Sequence, residues 1–205
     1  MITLFWCPKT RASRILWLLG ELGQPFEVRT IDIRKPEAKA DPDFMAASPM
    51  GKVPALMDTG GDTVVRVADS AAIALYLADR YPSAGLAPPV HGAGRGDYLY
   101  WMTFTPGVIE PAMSEKFNNW QVSRATSGWG DFATMIDVLE RGLQRGPWLL
   151  GERFSAADVL VGSSVYFMKL FGVLPDSATL QGYCDRCLAR PAYQKALARD
   201  AELEL

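Results

Sequence analysis

Strand-like and helix-like runs of apolar residues alternate in the first part of the chain. Residues 2–6 form an apolar run of strand length, residues 11–22 carry an apolar face at helical spacing that ends before Gly23, and residues 26–33 alternate in polarity. This order predicts a βαβ unit. Prolines interrupt the next stretch and leave at most a short helix at residues 43–47.

Two further short apolar runs, at residues 53–57 and 63–66, flank a turn rich in glycine and aspartate. This pattern predicts a β-hairpin. Residues 69–80 continue as a helix, and Asp69 with Ser70 provides the acid and the hydroxyl that favour a helix start. Together with the βαβ unit, these elements predict an α/β domain with a mixed four-stranded sheet, βαβ-ββα.

Helical spacing replaces the strand patterns after a linker rich in proline and glycine at residues 82–93. Pro106 and Pro111 should kink or split the first helix of this part. The chain is therefore expected to form an α/β domain at residues 1–81 and an all-α domain at residues 94–205. The predicted helices of the second domain are residues 96–116, 130–144, 155–171, 177–189 and 192–199.

The clearest helix start in the second domain is a predicted capping box. Ser155 takes the capping position, Asp158 follows three residues later, and Phe154 with Val159 can form a hydrophobic staple around them. We interpret this motif as structural.

Pro54 lies inside an apolar run although it has no N–H group to donate to a sheet. Such a proline is either an edge-strand residue or part of a cis turn, and base rates for X-Pro bonds favour trans. In either case the backbone of the neighbouring Val53 is available to another partner. A helix start that carries a small hydroxyl, as at Ser70, can hold a carboxylate. Backbone pairing at Val53 combined with carboxylate binding at Ser70 would suit a small peptide as the ligand.

Composition and charge exclude several classes of function. Of the 205 residues, 49% are hydrophobic and 21% are charged, and the formal net charge is -2. These values indicate a globular protein without a basic surface for nucleic acid or anionic lipid. Because the chain has neither a long apolar segment nor the basic start of a secretory signal, we expect no membrane partner and a cytoplasmic location.

Cysteine usage indicates a reducing compartment. The chain contains Cys7, Cys184 and Cys187, which are too few for a disulfide scaffold. The last two have C-x-x-C spacing, but there is no second pair and His91 is the only histidine. We therefore interpret them as cysteines on adjacent turns of one helix and expect no metal site.

Taken together, these motifs resemble those of a cytosolic glutathione S-transferase of bacterial type. The resemblance covers nearly the whole chain. It implies a thioredoxin-like first domain, glutathione as co-substrate, a role in detoxification, and a two-fold homodimer. The residues that carry it are Gly51-Lys52-Val53-Pro54, Asp69-Ser70, the run from Ser13 to Gly23, the helix at 69–81, the capping box at 154–158 and Arg190-Pro191-Ala192-Tyr193.

The resemblance also implies a glutathione site in the first domain. Val53 should pair its backbone with the cysteinyl part of glutathione, and the Val53–Pro54 peptide bond should be cis. Asp69 and Ser70 should hold the γ-glutamyl end, although many relatives carry the longer glutamate in place of Asp69. Lys52 either faces the glycyl carboxylate or is a solvated surface lysine.

Glutathione must react as a thiolate, and two residues compete for the sulfur. Lowering a thiol pKa of about 8.5 by one to two units requires about 1.4–2.7 kcal/mol, which one hydrogen bond to the charged sulfur can supply. Counted back from Arg14, the resemblance places this donor at Thr10, which could equally cap the helix. Cys7 would instead form a mixed disulfide, unless it is buried at the strand end. Ser13 is a third donor, expected to point elsewhere.

The resemblance places a small hydrophobic electrophile between the two domains. Because apolar stripes on helices are usually core, only one or two of the candidate residues are expected to reach the substrate. The candidates, on the first helix of the second domain, are Tyr98, Trp101, Met102, Thr105, Phe117 and Trp120.

Three functions remain open at this point. The leading one is transfer of glutathione to an electrophile with Thr10 stabilising the thiolate. The second is a glutathione-dependent thiol-disulfide oxidoreductase or dehydroascorbate reductase that uses Cys7 as nucleophile. The third is a non-catalytic interaction module with the same fold.

Overall fold

The computed structural model describes residues 1–202, which fall into two compact units. The first unit comprises residues 1–84 together with residues 190–202, and the second comprises residues 85–189. The last helix therefore groups with the first unit, whereas the sequence pattern places it in the helical domain. The helices of the described residues do not combine the length and apolar character needed to cross a membrane.

The first unit is built on a mixed four-stranded sheet with the order β2-β1-β3-β4. Strand β1 is parallel to β2 and antiparallel to β3, and β3 is antiparallel to β4. All five residues of β1 are buried because this strand lies inside the sheet. The predicted βαβ-ββα order is confirmed. The strands are β1 (Ile2–Trp6), β2 (Phe26–Thr30), β3 (Ala55–Asp58) and β4 (Val65–Ala68).

The α-helices follow the predicted order in both units. Helix α1 ends where Gly23 adopts a left-handed conformation with φ 70°, which glycine reaches without steric cost. Short 3₁₀ turns lie at Pro36–Ala40, Pro82–Ala84 and Leu143–Arg145. The helices are α1 (Ser13–Leu22), α2 (Pro42–Ala47), α3 (Ser70–Arg80), α4 (Arg95–Phe104), α5 (Glu110–Asn118), α6 (Phe132–Gly142), α7 (Ala156–Leu170), α8 (Ala178–Leu188) and α9 (Pro191–Glu202).

The first helical segment of the second unit is interrupted as its prolines predict. A π-helical turn at Thr105–Ile109 separates α4 from α5, because Pro106 has no N–H group for the helical ladder. Helix α5 ends at Asn118, and the capping residue Asn119 has a left-handed φ of 51° and donates its N–H to the Glu115 carbonyl. Trp120 therefore lies beyond the helix, and its placement on that helix was wrong.

The predicted capping box at the start of α7 is confirmed. Asp158 is fully buried and its Oδ2 accepts hydrogen bonds from the Ser155 N–H at 2.9 Å and the Ser155 hydroxyl at 3.1 Å. Its Oδ1 accepts from the Leu149 N–H at 2.9 Å and the Tyr183 hydroxyl at 3.1 Å. The carboxylate thus joins α7, α8 and the preceding loop within the second unit.

Candidate functional site

Three of the predicted site segments meet at one edge of the sheet. In the strand register Phe5 lies opposite Ala55, and Ala55 lies opposite Ala68. The carboxyl ends of β1 and β4 therefore share an edge with the amino end of β3. The loop that follows β1, residues 7–12, thus lies on the same edge as Val53 and the Asp69-Ser70 pair.

Val53 presents an unpaired backbone at this edge. The Val53–Pro54 bond is cis, which confirms the prediction, and β3 begins only at Ala55. Within residues 1–202, neither the N–H nor the carbonyl of Val53 makes a hydrogen bond. The Ser48 hydroxyl fixes the turn before it, since it accepts from the Lys52 N–H at 3.0 Å and donates to the Lys52 carbonyl at 2.7 Å. The Lys52 side chain is exposed.

Asp69 and Ser70 form the start of α3. Asp69 has the positive φ of 75°, which is rare for a residue with a side chain and is typical of functional sites. Its Oδ1 accepts hydrogen bonds from the N–H groups of Ala71 at 2.8 Å and Ala72 at 3.4 Å. Oδ1 thus caps the helix, while Oδ2 is left without a hydrogen bond among the described residues.

Ser70 offers two donors at the same helix end. It is only 8% exposed, and its hydroxyl makes no hydrogen bond to any residue in the described part of the chain. Its N–H is the first of the helix and has no acceptor within the helix. Two converging donors at a helix N-terminus can hold a carboxylate.

Thr10 stabilises the loop after β1. Its hydroxyl donates to the Cys7 carbonyl at 2.7 Å and accepts from the Ala12 N–H at 3.2 Å. The oxygen is fixed by the second bond, but the hydrogen can turn from the Cys7 carbonyl to another acceptor. Within residues 1–202, the main-chain N–H of Thr10 has no hydrogen-bond partner.

Cys7 and Ser13 are both buried. Cys7 is 1% exposed at the end of β1, so its thiol is not accessible in this conformation. Ser13, 5% exposed, donates its hydroxyl to Asp200 of α9 and accepts from the Trp6 indole N–H at 3.4 Å. The proton of the Ser13 hydroxyl is therefore donated to Asp200.

The six candidates for the electrophile wall divide into core and surface residues. Tyr98, Trp101, Met102 and Thr105 are at most 6% exposed. Phe117 and Trp120 are 44% and 52% exposed, and Phe117 makes an edge-to-face contact with Phe171 at 5.4 Å between ring centroids. Only the last two present a large apolar surface to solvent.

The C-x-x-C pair lies on adjacent turns of one helix, as its spacing predicts. Cys184 and Cys187 are both buried on α8, one turn apart, and burial raises the pKa of both thiols. Among residues 1–202 there is no cluster of three or more histidine, cysteine, aspartate or glutamate side chains that could hold a metal ion.

Asp200 was not among the residues that the sequence pattern selected. It lies about 190 positions after the loop that it contacts, and its side chain occupies an otherwise ordinary polar helix. Neither spacing nor a local motif could have indicated it, because only the packing of α9 against α1 brings it to the loop.

Known proteins match both parts of the chain. Residues 6–80 match the family Glutathione S-transferase, N-terminal domain, and residues 85–186 match Glutathione S-transferase, C-terminal domain. Glutathione S-transferase 3 of Zea mays is 29% identical over 201 residues, covering 90% of this chain and 87% of that protein.

Two bacterial proteins are also similar. Disulfide-bond oxidoreductase YfcG of Escherichia coli (strain K12) is 26% identical over 168 residues, covering 78% of this chain and 76% of that protein. The structure of a sphingomonad glutathione S-transferase complexed with glutathione has a TM-score of 0.79 and 25% identity, and covers 98% of this chain and 100% of that one. Both domain families and nearly full-length relatives therefore agree, and the chain belongs to the glutathione S-transferase family, in its bacterial type.

Proposed function

We propose that the protein is a glutathione transferase, which adds the sulfur of glutathione to small hydrophobic electrophiles. The observation that carries this proposal is the set of unpaired polar groups at one sheet edge, namely the backbone of Val53 and the two donors of Ser70. Val53 lies just before β3 and Ser70 just after the antiparallel β4, and groups at the ends of two adjacent strands suit an extended peptide. The sphingomonad relative, which has the same fold, is a complex with glutathione.

In this proposal each part of glutathione is bound by a different set of these polar groups. The N–H and carbonyl of Val53 pair with the cysteinyl backbone as an added strand would. The hydroxyl and N–H of Ser70 hold the γ-glutamyl carboxylate, and Oδ2 of Asp69 accepts from the γ-glutamyl amine. The exposed Lys52 faces the glycyl carboxylate as a solvent-screened ion pair, which adds little to the binding free energy.

Thr10 is the residue that stabilises the thiolate in this proposal. If the antiparallel register of β1 and β3 is continued by two residues, Cys7 lies opposite Val53, so a cysteinyl group paired with Val53 is adjacent to the Thr10 loop. The Thr10 hydroxyl, once it has turned from the Cys7 carbonyl, and the Thr10 N–H are the donors. A hydrogen bond to a charged group contributes about 1.5–3 kcal/mol, or about one to two pKa units.

Replacing Thr10 by valine is expected to raise the pKa of bound glutathione by about one unit, because valine keeps the shape and the N–H but loses the hydroxyl. At pH 6.5, kcat/KM for a chlorodinitrobenzene-type substrate should fall about 10-fold. Thr10→Ser is the matched control and should stay within about 3-fold of the original protein. The thiolate absorbance in the ultraviolet, followed against pH, measures the pKa. An unchanged pKa in Thr10→Val would show that the hydroxyl is not the donor.

A second candidate function is reduction of mixed disulfides with Cys7 as nucleophile. The name of the Escherichia coli relative, a disulfide-bond oxidoreductase, favours it, whereas the burial of the Cys7 side chain opposes it. We expect Cys7→Ser to leave conjugation within about 3-fold, because a buried thiol takes no part in transfer. If Cys7→Ser instead abolishes reduction of a glutathione mixed disulfide that the unmodified protein catalyses, the second function is correct.

The electrophile wall, the oligomeric state, the location and the physiological role that the family resemblance implies are also proposals. Phe117 and Trp120, the two exposed members of the predicted wall, are the residues that we propose to touch the electrophile. A two-fold homodimer, a cytoplasmic location and a role in detoxification are proposed on the family resemblance alone. Titration calorimetry with glutathione distinguishes the two proposed enzyme activities from a non-catalytic module. Absence of binding at millimolar glutathione would contradict both activities.

A further inference from the structure

One carboxylate oxygen of α9 contacts both sides of the loop that carries Thr10. Oδ1 of Asp200 accepts a hydrogen bond from the Lys9 N–H at 2.9 Å and another from the Ser13 hydroxyl. Lys9 directly precedes Thr10, and Ser13 is the first residue of α1. Asp200 therefore contacts the residues on either side of the segment that supplies the proposed thiolate donors.

The backbone at Lys9 is in a conformation that needs such support. Its φ is +57°, in the left-handed region, which costs a residue with a side chain about 1–2 kcal/mol relative to the right-handed region. The Lys9 side chain is exposed. The hydrogen bond from the Lys9 N–H to Asp200 favours this backbone conformation of Lys9. The conformation of Lys9 in turn sets the direction of the Thr10 N–H, which belongs to the next peptide group.

Helix α9 is held firmly enough to place Asp200. Arg190 makes two hydrogen bonds to the Glu21 carboxylate at 2.6 and 2.7 Å, which is the bidentate geometry of a strong ion pair. Tyr193 stacks on Trp17 with 3.9 Å between ring centroids and 7° between planes. Both contacts lie within the first unit, so α9 and the Thr10 loop belong to the same compact body.

We propose that Asp200 is a positioning residue, which holds the loop at residues 7–12 in the conformation that lets Thr10 reach the sulfur of glutathione. The proposal rests on the proposed function for the identity of the ligand. Asp200 does not touch glutathione in this scheme and acts only through Lys9 and Ser13. The C-terminal helix thereby determines how well the first unit activates the thiol.

The direction of the pKa change in bound glutathione distinguishes a positioning role of Asp200 from a direct effect of its charge. Removing a nearby negative charge would lower the pKa of the bound thiol, because a carboxylate disfavours a thiolate. Loss of loop positioning would instead raise the pKa of the bound thiol, because the thiolate would lose hydrogen bonds. Asp200→Ala is therefore expected to raise the pKa of bound glutathione by about one unit and to lower kcat/KM at pH 6.5 about 10-fold.

Asp200→Asn should restore the original behaviour, because its amide oxygen can still accept from the Lys9 N–H. Glu202→Ala is the matched control, as it removes a carboxylate from the same helix, exposed and two residues further on. Binding of S-methylglutathione, which has no thiol, should change less than about 2-fold in every variant, because Val53 and Ser70 are untouched. If the alanine variant does not fold, Asp200→Glu, which displaces the carboxylate by one methylene, should raise the pKa in the same direction.

A pKa that is unchanged or lowered in a folded Asp200→Ala protein would overturn the positioning role, even if the variant is less stable. Equal losses in Asp200→Ala and Asp200→Asn would also overturn it, because the amide oxygen of asparagine still accepts from the Lys9 N–H and should therefore hold the loop in place. Absence of any thiolate signal in the unmodified protein would contradict the proposed function instead. The two failures are therefore distinguishable in one set of titrations.

Discussion

Replacing Asp158 by alanine is expected to lower the free energy of unfolding by about 3–5 kcal/mol, close to half of the stability of a typical domain. The carboxylate is fully buried and accepts four hydrogen bonds, from Leu149, Ser155 and Tyr183. Alanine leaves two buried N–H groups and the Ser155 hydroxyl without acceptors, each of which costs about 1–3 kcal/mol, whereas the Tyr183 hydroxyl keeps the main-chain carbonyl of residue 158 at 3.4 Å. Urea unfolding at pH 7 measures the change.

A surface carboxylate provides the control for this prediction. Asp137 lies on α6, is 62% exposed and pairs with Arg141 one turn away at 2.8 Å. Because exposed pairs of this kind contribute about 0.3–0.5 kcal/mol, Asp137→Ala should be nearly neutral. Similar losses in Asp137→Ala and Asp158→Ala would contradict the assignment of stability to the buried capping box.

The pH dependence of stability gives a second test of Asp158. Burial raises the pKa of this carboxyl from 3.8 to about 6, against the effect of its hydrogen bonds. Between these values the folded chain holds a proton that the unfolded chain has lost, so stability present below about pH 4 is lost as the pH rises through 6. The stability of the unmodified protein relative to Asp158→Asn should therefore fall by about 2 kcal/mol from pH 4 to pH 6.5.

Replacing Ser70 by aspartate is expected to weaken glutathione binding by about 100-fold or more. The change removes a hydrogen bond to the ligand carboxylate, about 1.5–3 kcal/mol, and adds a like charge beside it, about 1–4 kcal/mol at 4 Å. The fold should tolerate the change, since a negative charge near a helix N-terminus stabilises the helix by about 0.3–1 kcal/mol. Titration calorimetry with glutathione gives the dissociation constant.

Ala72 offers a matched control for Ser70. It lies in the same first turn of α3 but is exposed, so Ala72→Asp adds the same charge without facing the proposed ligand. We expect its dissociation constant to stay within about 3-fold of the original value. Ser70→Ala should be intermediate, about 10–100-fold weaker, because the N–H donor remains. Equal binding by Ser70→Asp and Ala72→Asp would place glutathione elsewhere.

Most of the fold could be predicted from local signals. Each of these signals depends on residues that lie close together in the chain. They are the apolar run of β1, the capping residues of α3 and α7, and the interruption at Pro106. The structure differs from the predicted elements mainly in where strands and helices begin and end. Strand β3 begins at Ala55 rather than Val53, because Pro54 has no N–H group to extend the ladder. Helix α1 begins at Ser13, since the Thr10 hydroxyl caps the N–H of Ala12 in the preceding loop.

The candidate site could be predicted only in part. Val53 and Ser70 were identified because a missing N–H and a helix start are local properties. Whether Thr10 or Cys7 faces a ligand is not local, since burial of Cys7 depends on its neighbours in the folded unit. The same holds for Tyr98 and Trp101, whose helical spacing is equally consistent with core and with a pocket wall.

The sequence by itself determined the element order, the helix caps and the family, because periodicity, proline and capping residues act over a few positions. The tertiary structure alone decided that the last helix packs within the first unit and that Asp200 contacts the Thr10 loop. Contacts between residues about 190 positions apart leave no periodic trace in the chain. They arise when buried apolar faces, here those of α1 and α9, pack together and bring one polar side chain to a loop.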